Sequence, residues 1–299
     1  MQVAAPFFVI NCIRSNTLTS KRSSSQQNST APIGIFDSGV GGLSILRAIR
    51  AALPAEPLIY LADQAHVPYG ARPLLEVRTF CEAITRYLIE ERGAKLIVVA
   101  CNTASAAALK GLRASFPDTP FVGMEPAVKP AAEGTHSGVV AVLATPATFQ
   151  GELYASVVAR FAKGVTVLQD TCPGLVAEIE AGRINGAETG RILAAALDPM
   201  LAQNLDIIVL GCTHYPFVIP LIQDIVGPHV RVIDPAPAVA RQTARLLDEH
   251  ELRSSGSTSA STHYLTSGDP TALGELLQTL LGEGGEVEGV RWGEDMKVE

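Results

Sequence analysis

From residue 32 onward, short apolar runs alternate with longer segments whose apolar positions recur at helical spacing. The runs "PIGIFD" (32–37), "PLIYLAD" (57–63), "AKLIVVAC" (94–101) and "PFVGM" (120–124) predict four strands. Between them, helices are predicted over 41–53, over 74–93 with Gly93 as the stop signal, and over 104–116, directly after Cys101. A second set follows: strands over 138–145 and 165–170, a helix over 148–161, a helical stretch from Gly174, and strands over 205–212 and 230–235. This alternation is the signature of α/β architecture with parallel strands.

Two of the apolar runs end alike, one in Cys101-Asn102-Thr103 and the other in Cys212-Thr213-His214. These strand ends lie 111 positions apart (212 − 101), about one domain length. The expected organisation is therefore two similar α/β units. Residues 32–126 and 237–285 form the first, the helices beyond Pro237 returning to it, and residues 127–236 form the second. The pattern leaves 1–31 as a flexible N-terminal extension, 254–262 as a polar loop and 286–299 as an acidic C-terminal tail.

Composition narrows the function classes. A hydrophobic fraction of 47% is that of an ordinary globular chain, and 299 residues suffice for two cores. A net charge of −7 argues against a nucleic-acid surface, which needs clustered Lys and Arg, but leaves room for a small acidic ligand. No apolar run reaches the roughly 20 residues of a membrane span, and "VAAPFFVI" (3–10) lacks the preceding basic segment of an export signal. The five cysteines show no C-x-x-C pair, which fits free thiols in a reducing cytoplasm.

In open α/β sheets, ligands gather at the carboxyl ends of the strands. Asp37, Ser38, Asp63, Cys101, Asn102, Thr103, Thr145, Cys212, Thr213 and His214 all fall at predicted strand ends. The glycines of "DSGVGGLS" (37–44) suit either a tight turn with positive φ or a dinucleotide loop, although Ser44 replaces the third glycine and Asp37 would face a pyrophosphate. Cys12, Cys81 and Cys172 read as small core residues. Cys101 and Cys212 each precede a predicted helix start, where the dipole favours a thiolate. His214 could exchange a proton with Cys212 or cap the loop. Zinc would need further ligands, and none has the usual spacing, so no metal is expected. A Cys-His nucleophile would leave Cys101 unexplained. Two thiols on opposite sides of one ligand suit removal of a proton from one face of a carbon and its return to the other, work for an acid and a base of similar pKa.

The motifs "GIFDSGVGGLSILRAI", "ADQAHVPYG", "VVACNTAS", "VGMEPAVKPA" and "VLGCTHYP", in this order, resemble the cofactor-independent glutamate racemases of the aspartate/glutamate racemase family. The resemblance runs from about Ile33 to "YLTSGDP" at Tyr264. It implies two flavodoxin-like α/β/α domains with parallel sheets and the active site at their interface. It further implies Cys101 and Cys212 as the two acid/bases, the first acting on the D form, with Asp37 assisting Cys101, and with His214 and Glu180 completing the catalytic set. Substrate contacts are implied for Asp37, Ser38, Asp63, Tyr69, Gly70, Asn102, Thr103, Thr145, Thr213 and His214. The expected activity is interconversion of L- and D-glutamate for peptidoglycan, without pyridoxal phosphate or metal. The expected assembly is a cytoplasmic homodimer, with a peptidoglycan-precursor activator among the partners that the family implies. His66, where relatives often carry Arg, and Ala71-Arg72-Pro73 depart from the family pattern. The rivals are a racemase for aspartate, differing at the second carboxylate, and a binding protein of the kind that inhibits DNA gyrase, without direct DNA contact.

Overall fold

The structure, a computed structural model, describes residues 29–256 and 259–299. The first unit opens with β1 (Ile33–Asp37), α1 (Leu43–Ala52), β2 (Leu58–Ala62), α2 (Leu74–Glu90), β3 (Leu96–Val99), α3 (Asn102–Ser115) and β4 (Phe121–Val122). The second holds α4 (Val128–Gly134), β5 (Val139–Ala144), α5 (Pro146–Gln150), α6 (Glu152–Phe161), β6 (Thr166–Asp170), α7 (Leu175–Glu180), α8 (Ala187–Leu201), β7 (Ile207–Gly211), α9 (Ile219–Val226) and β8 (Arg231–Ile233). The chain then continues through α10 (Ala236–Glu249), β9 (Thr262–Thr266), α11 (Pro270–Leu281) and β10 (Val287–Gly289).

The strands form two parallel sheets, ordered β10-β9-β2-β1-β3-β4 and β6-β5-β7-β8. Stripped of β9 and β10, both have the same arrangement, with the first strand of each set between the second and third. β3 therefore corresponds to β7, and the two cysteines follow equivalent central strands. Both strands are buried along their length, which is why they read as unbroken apolar runs rather than alternating ones. Register fixes the neighbours of each cysteine. Phe36 pairs with Val99, bringing Asp37 beside the approach to Cys101, and Ala144 pairs with Gly211, bringing Thr145 level with Cys212.

Several elements differ from the sequence pattern. The helix expected over 148–161 is two helices, because Gly151 takes an extended conformation between α5 and α6. Residues 286–299 are not a free acidic tail. β10 adds to β9, and residues 291–299 fold back as a hairpin, with Arg291 and Glu299 exchanging backbone hydrogen bonds of 2.8 Å each way and Trp292 bridging Val298. β9 pairs with β2 and α10 packs on α1, so this returning chain extends the first sheet and its helical layer. The extension expected over 1–31 lies outside the described residues up to 28. At its end, the Ser29 carbonyl accepts a 2.5 Å hydrogen bond from Lys95 Nζ. Among the described residues no helix is long and apolar enough to cross a membrane.

Lys95 also forms the most buried ion pair among the described residues, 2.7 Å from Glu56 Oε2, with both side chains 2% exposed. The second oxygen of Glu56 accepts the Ser254 N–H at 2.7 Å. The pair sits just ahead of β2 and β3, at the amino ends of the strands and so opposite the cysteines, and ties three distant segments together. Burial pushes the Lys95 ammonium down, and Glu56 partly restores it. Removing one partner strands a buried charge. Glu56→Ala should therefore lower stability by about 3–5 kcal/mol in denaturant unfolding, and replacing both residues by apolar ones should recover most of the loss.

Candidate functional site

The carboxyl ends of the two sheets face one another across a tight cavity of about 20 Å³. From the first unit, Ser38, Tyr69, Gly70, Cys101, Asn102 and Thr103 line it. Thr145, Cys212, Thr213 and His214 line it from the second. These ten residues, far apart in the chain, are thus brought to one cavity. Pro68, Val176 and Gly211 line it too and went unread, since an apolar residue on a helix or a proline in a loop carries no chemical signature.

Cys101 caps α3 from the end of β3, with its Sγ 3.5 Å from the Ala104 N–H. Burial, and then the charge of Asp37 beside it, push the Cys101 thiol well above its ordinary range, although the Ala104 N–H works the other way. Asp37 is itself fully buried, and its Oδ2 accepts the Gly42 N–H at 2.6 Å. Burial raises the Asp37 carboxyl, with the charge of His214 as the leading opposing influence. Cys212 has a different partner: its Sγ lies 3.6 Å from His214 Nδ1. The other ring nitrogen, Nε2, is 2.6 Å from Glu180 Oε1. Burial favours loss of the His214 proton, but the hydrogen bonds to Cys212 and Glu180 outweigh it and hold the imidazole well above its ordinary pKa. The two cysteines thus have unlike neighbours, the Asp37 carboxyl for Cys101 and the His214 imidazole for Cys212.

Asp37, Glu180 and Asp63 do not line the wall. Asp37 and Glu180 stand directly behind the cysteines and His214. Asp63 is fully buried and accepts from Tyr69 Oη at 2.6 Å, Ser267 Oγ at 2.6 Å, Trp292 Nε1 at 2.8 Å and His66 Nδ1 at 2.9 Å. The family resemblance implied substrate contacts for Asp63 and Tyr69, and in this structure the Asp63 carboxylate is engaged with the Tyr69 hydroxyl. Asn102 differs, because its Nδ2 is buried on the cavity wall without a protein partner. An unpaired buried donor of this kind suits an anionic acceptor. Thr103 and Thr145 hydroxyls meet at 3.0 Å across the two units. Among the described residues no cluster of three or more His, Cys, Asp or Glu is arranged to hold a metal ion.

The glycine loop is explained by neither of its sequence readings. None of Gly39, Gly41 and Gly42 has positive φ. A Cβ on Gly39 would stand 2.0 Å from Glu180 Oε1, and one on Gly41 would stand 2.4 Å from His214 Nδ1. The loop is rich in glycine because the opposite unit's acid and imidazole fill the space a side chain would take.

The Asp/Glu/Hydantoin racemase family profile matches residues 33–243. The glutamate racemase of Roseiflexus sp. is 50% identical over 253 residues, 84% of this chain and 93% of its own. That of Stutzerimonas stutzeri is 49% identical over 258 residues, 86% of this chain and 97% of its own. Among solved structures, Escherichia coli glutamate racemase in complex with L-glutamate and the activator UDP-MurNAc-Ala superposes with a TM-score of 0.77 at 33% identity. That match covers 90% of this chain and 99% of the other.

Gly41→Ala should displace His214 and lower activity on the order of 100-fold while the protein stays folded, checked by initial rates beside circular dichroism. The raised pKa of His214 also fixes a pH dependence. Stability from the protonated ring is fully present below its unfolded pKa, near 6.5, and is lost as pH rises through the raised folded value. In thermal melts, the advantage of the parent over Glu180→Gln should be largest just below pH 6.5 and shrink toward alkaline pH. A difference that is flat across this range would remove the His214–Glu180 ion pair from the account.

Proposed function

The chain belongs to the Asp/Glu/hydantoin racemase family and is a racemase, and from that premise we propose that it interconverts L- and D-glutamate through two cysteine acid/bases. The observation that carries this reading is the placement of Cys101 and Cys212 after equivalent strands of two sheets, on the wall of one cavity. A single base does not easily serve both faces of a tetrahedral carbon, and two thiols, one from each unit, would supply one for each.

In the L to D direction, the Cys212 thiolate takes the α-proton and becomes a thiol. The carbanion then takes a proton from Cys101 on the opposite face, leaving Cys101 as the thiolate. The raised pKa of Cys101 suits the donor role, since the group holds its proton until a stronger base arrives. His214 and Glu180 serve Cys212, and Asp37 serves Cys101. Asn102 Nδ2 and the N-terminus of α3 receive a carboxylate, a need sharpened by the absence of Lys and Arg from the wall among the described residues. The D-glutamate supplies peptidoglycan synthesis in the cytoplasm. A homodimer, regulated by a peptidoglycan precursor as the E. coli structure's activator suggests, completes the proposal.

Incubation of the purified protein with L-glutamate in deuterated water should give loss of optical rotation with deuterium entering Cα, and L-aspartate should give neither. Cys101→Ser and Cys212→Ser should each cut racemisation on the order of 1,000-fold. Exchange with aspartate at a comparable rate would reassign the substrate. Full activity in either serine variant would sink the two-thiol mechanism.

A further inference from the structure

Asp63 follows β2 and is fully buried, so its charge must be matched by donors. Those donors come from three separate segments. His66 and Tyr69 belong to the loop after β2, Ser267 follows β9, and Trp292 follows β10. Two of them, Ser267 and Trp292, share Oδ1, while the Tyr69 hydroxyl takes Oδ2. Trp292 also roofs the group. Its ring stands edge-on to His66 at 4.9 Å and to Phe80 at 5.6 Å, and His66 stacks on Phe80 at 3.9 Å. The hairpin that carries Trp292 is fixed to the first sheet by the Val290 N–H, which donates to the Thr266 carbonyl at 2.8 Å.

Tyr69 is the member of this knot that reaches the cavity. Tyr69 and Gly70 both line it, and Gly70 is pressed so near the second unit that a Cβ there would lie 2.7 Å from the Thr145 Cβ. The position of Tyr69 therefore decides the shape of the space between the two cysteines. We infer that Trp292 is a positioning residue of the active site: through Asp63 it fixes Tyr69, so the C-terminal hairpin sets the fit of the substrate although it touches none of the reacting atoms. The inference rests on the reading of this cavity as the glutamate site.

Trp292→Phe keeps an aromatic ring and removes the donor. It should lower kcat/KM for glutamate about tenfold, mainly through KM, with the melting temperature moved by no more than a few degrees. Ser267→Ala removes another donor to the same oxygen without touching the hairpin and should shift KM in the same direction, which keeps the test open if the tryptophan variant folds poorly. Tyr69→Phe combined with Trp292→Phe should cost no more than the worse single variant, because both act on one linkage. A kcat/KM within twofold of the parent in both donor variants, or fully additive losses in the double variant, overturns the inference. A parent that does not racemise glutamate overturns the reading beneath it, and the inference falls with it.

Discussion

One carboxylate oxygen holds the two halves of this site in register. Glu180 Oε1, at the end of α7, accepts the Val40 N–H at 2.8 Å and contacts His214 Nε2 at 2.6 Å. Val40 belongs to the loop after β1, and His214 to the loop after β7. The contact thus joins the strand end that carries Asp37 to the strand end that carries Cys212. It works only because the β1 loop has no side chains at Gly39 and Gly41, where any Cβ would collide with Glu180 or His214. The Tyr60 hydroxyl supports the loop from the core side, donating to the Gly39 carbonyl at 2.6 Å.

Around this joint, the wall and its backing concentrate carboxylates and thiols. Asp37, Cys101 and Cys212 are shielded from solvent and Glu180 is partly so, with His214 the one basic side chain among them. In such a setting the state of each proton depends on its neighbours more than on the solvent. The two cysteines have different partners, although the fold places them after equivalent strands.

The halves are also unequal in support. The first sheet gains β9 and β10 and is closed over by the C-terminal hairpin, whereas the edge strands β6 and β8 of the second stay partly exposed. Asp63 is where this reinforcement meets the cavity, because it gathers donors from both added segments and passes the constraint to Tyr69. The departure at His66 takes part in the same knot, since its ring pairs with Asp63 and stacks on Phe80.

The sequence by itself determined the α/β class, the repeat, and the strand-end placement of Cys101 and Cys212. Each of these is written in local periodicity, and buried parallel strands leave unbroken apolar runs that end where the chain must turn. The polar residues following those runs, such as Asn102, Thr103 and Thr213, were legible for the same reason. Tertiary structure alone decided the rest. Glu180 meets His214 across 34 positions and Trp292 meets Asp63 across 229, and no local pattern records such pairs. The glycines of the β1 loop show the limit best. Their spacing was visible, but the reason for it was an acid and an imidazole from the other half of the chain, whose approach is set only when the two sheets pack.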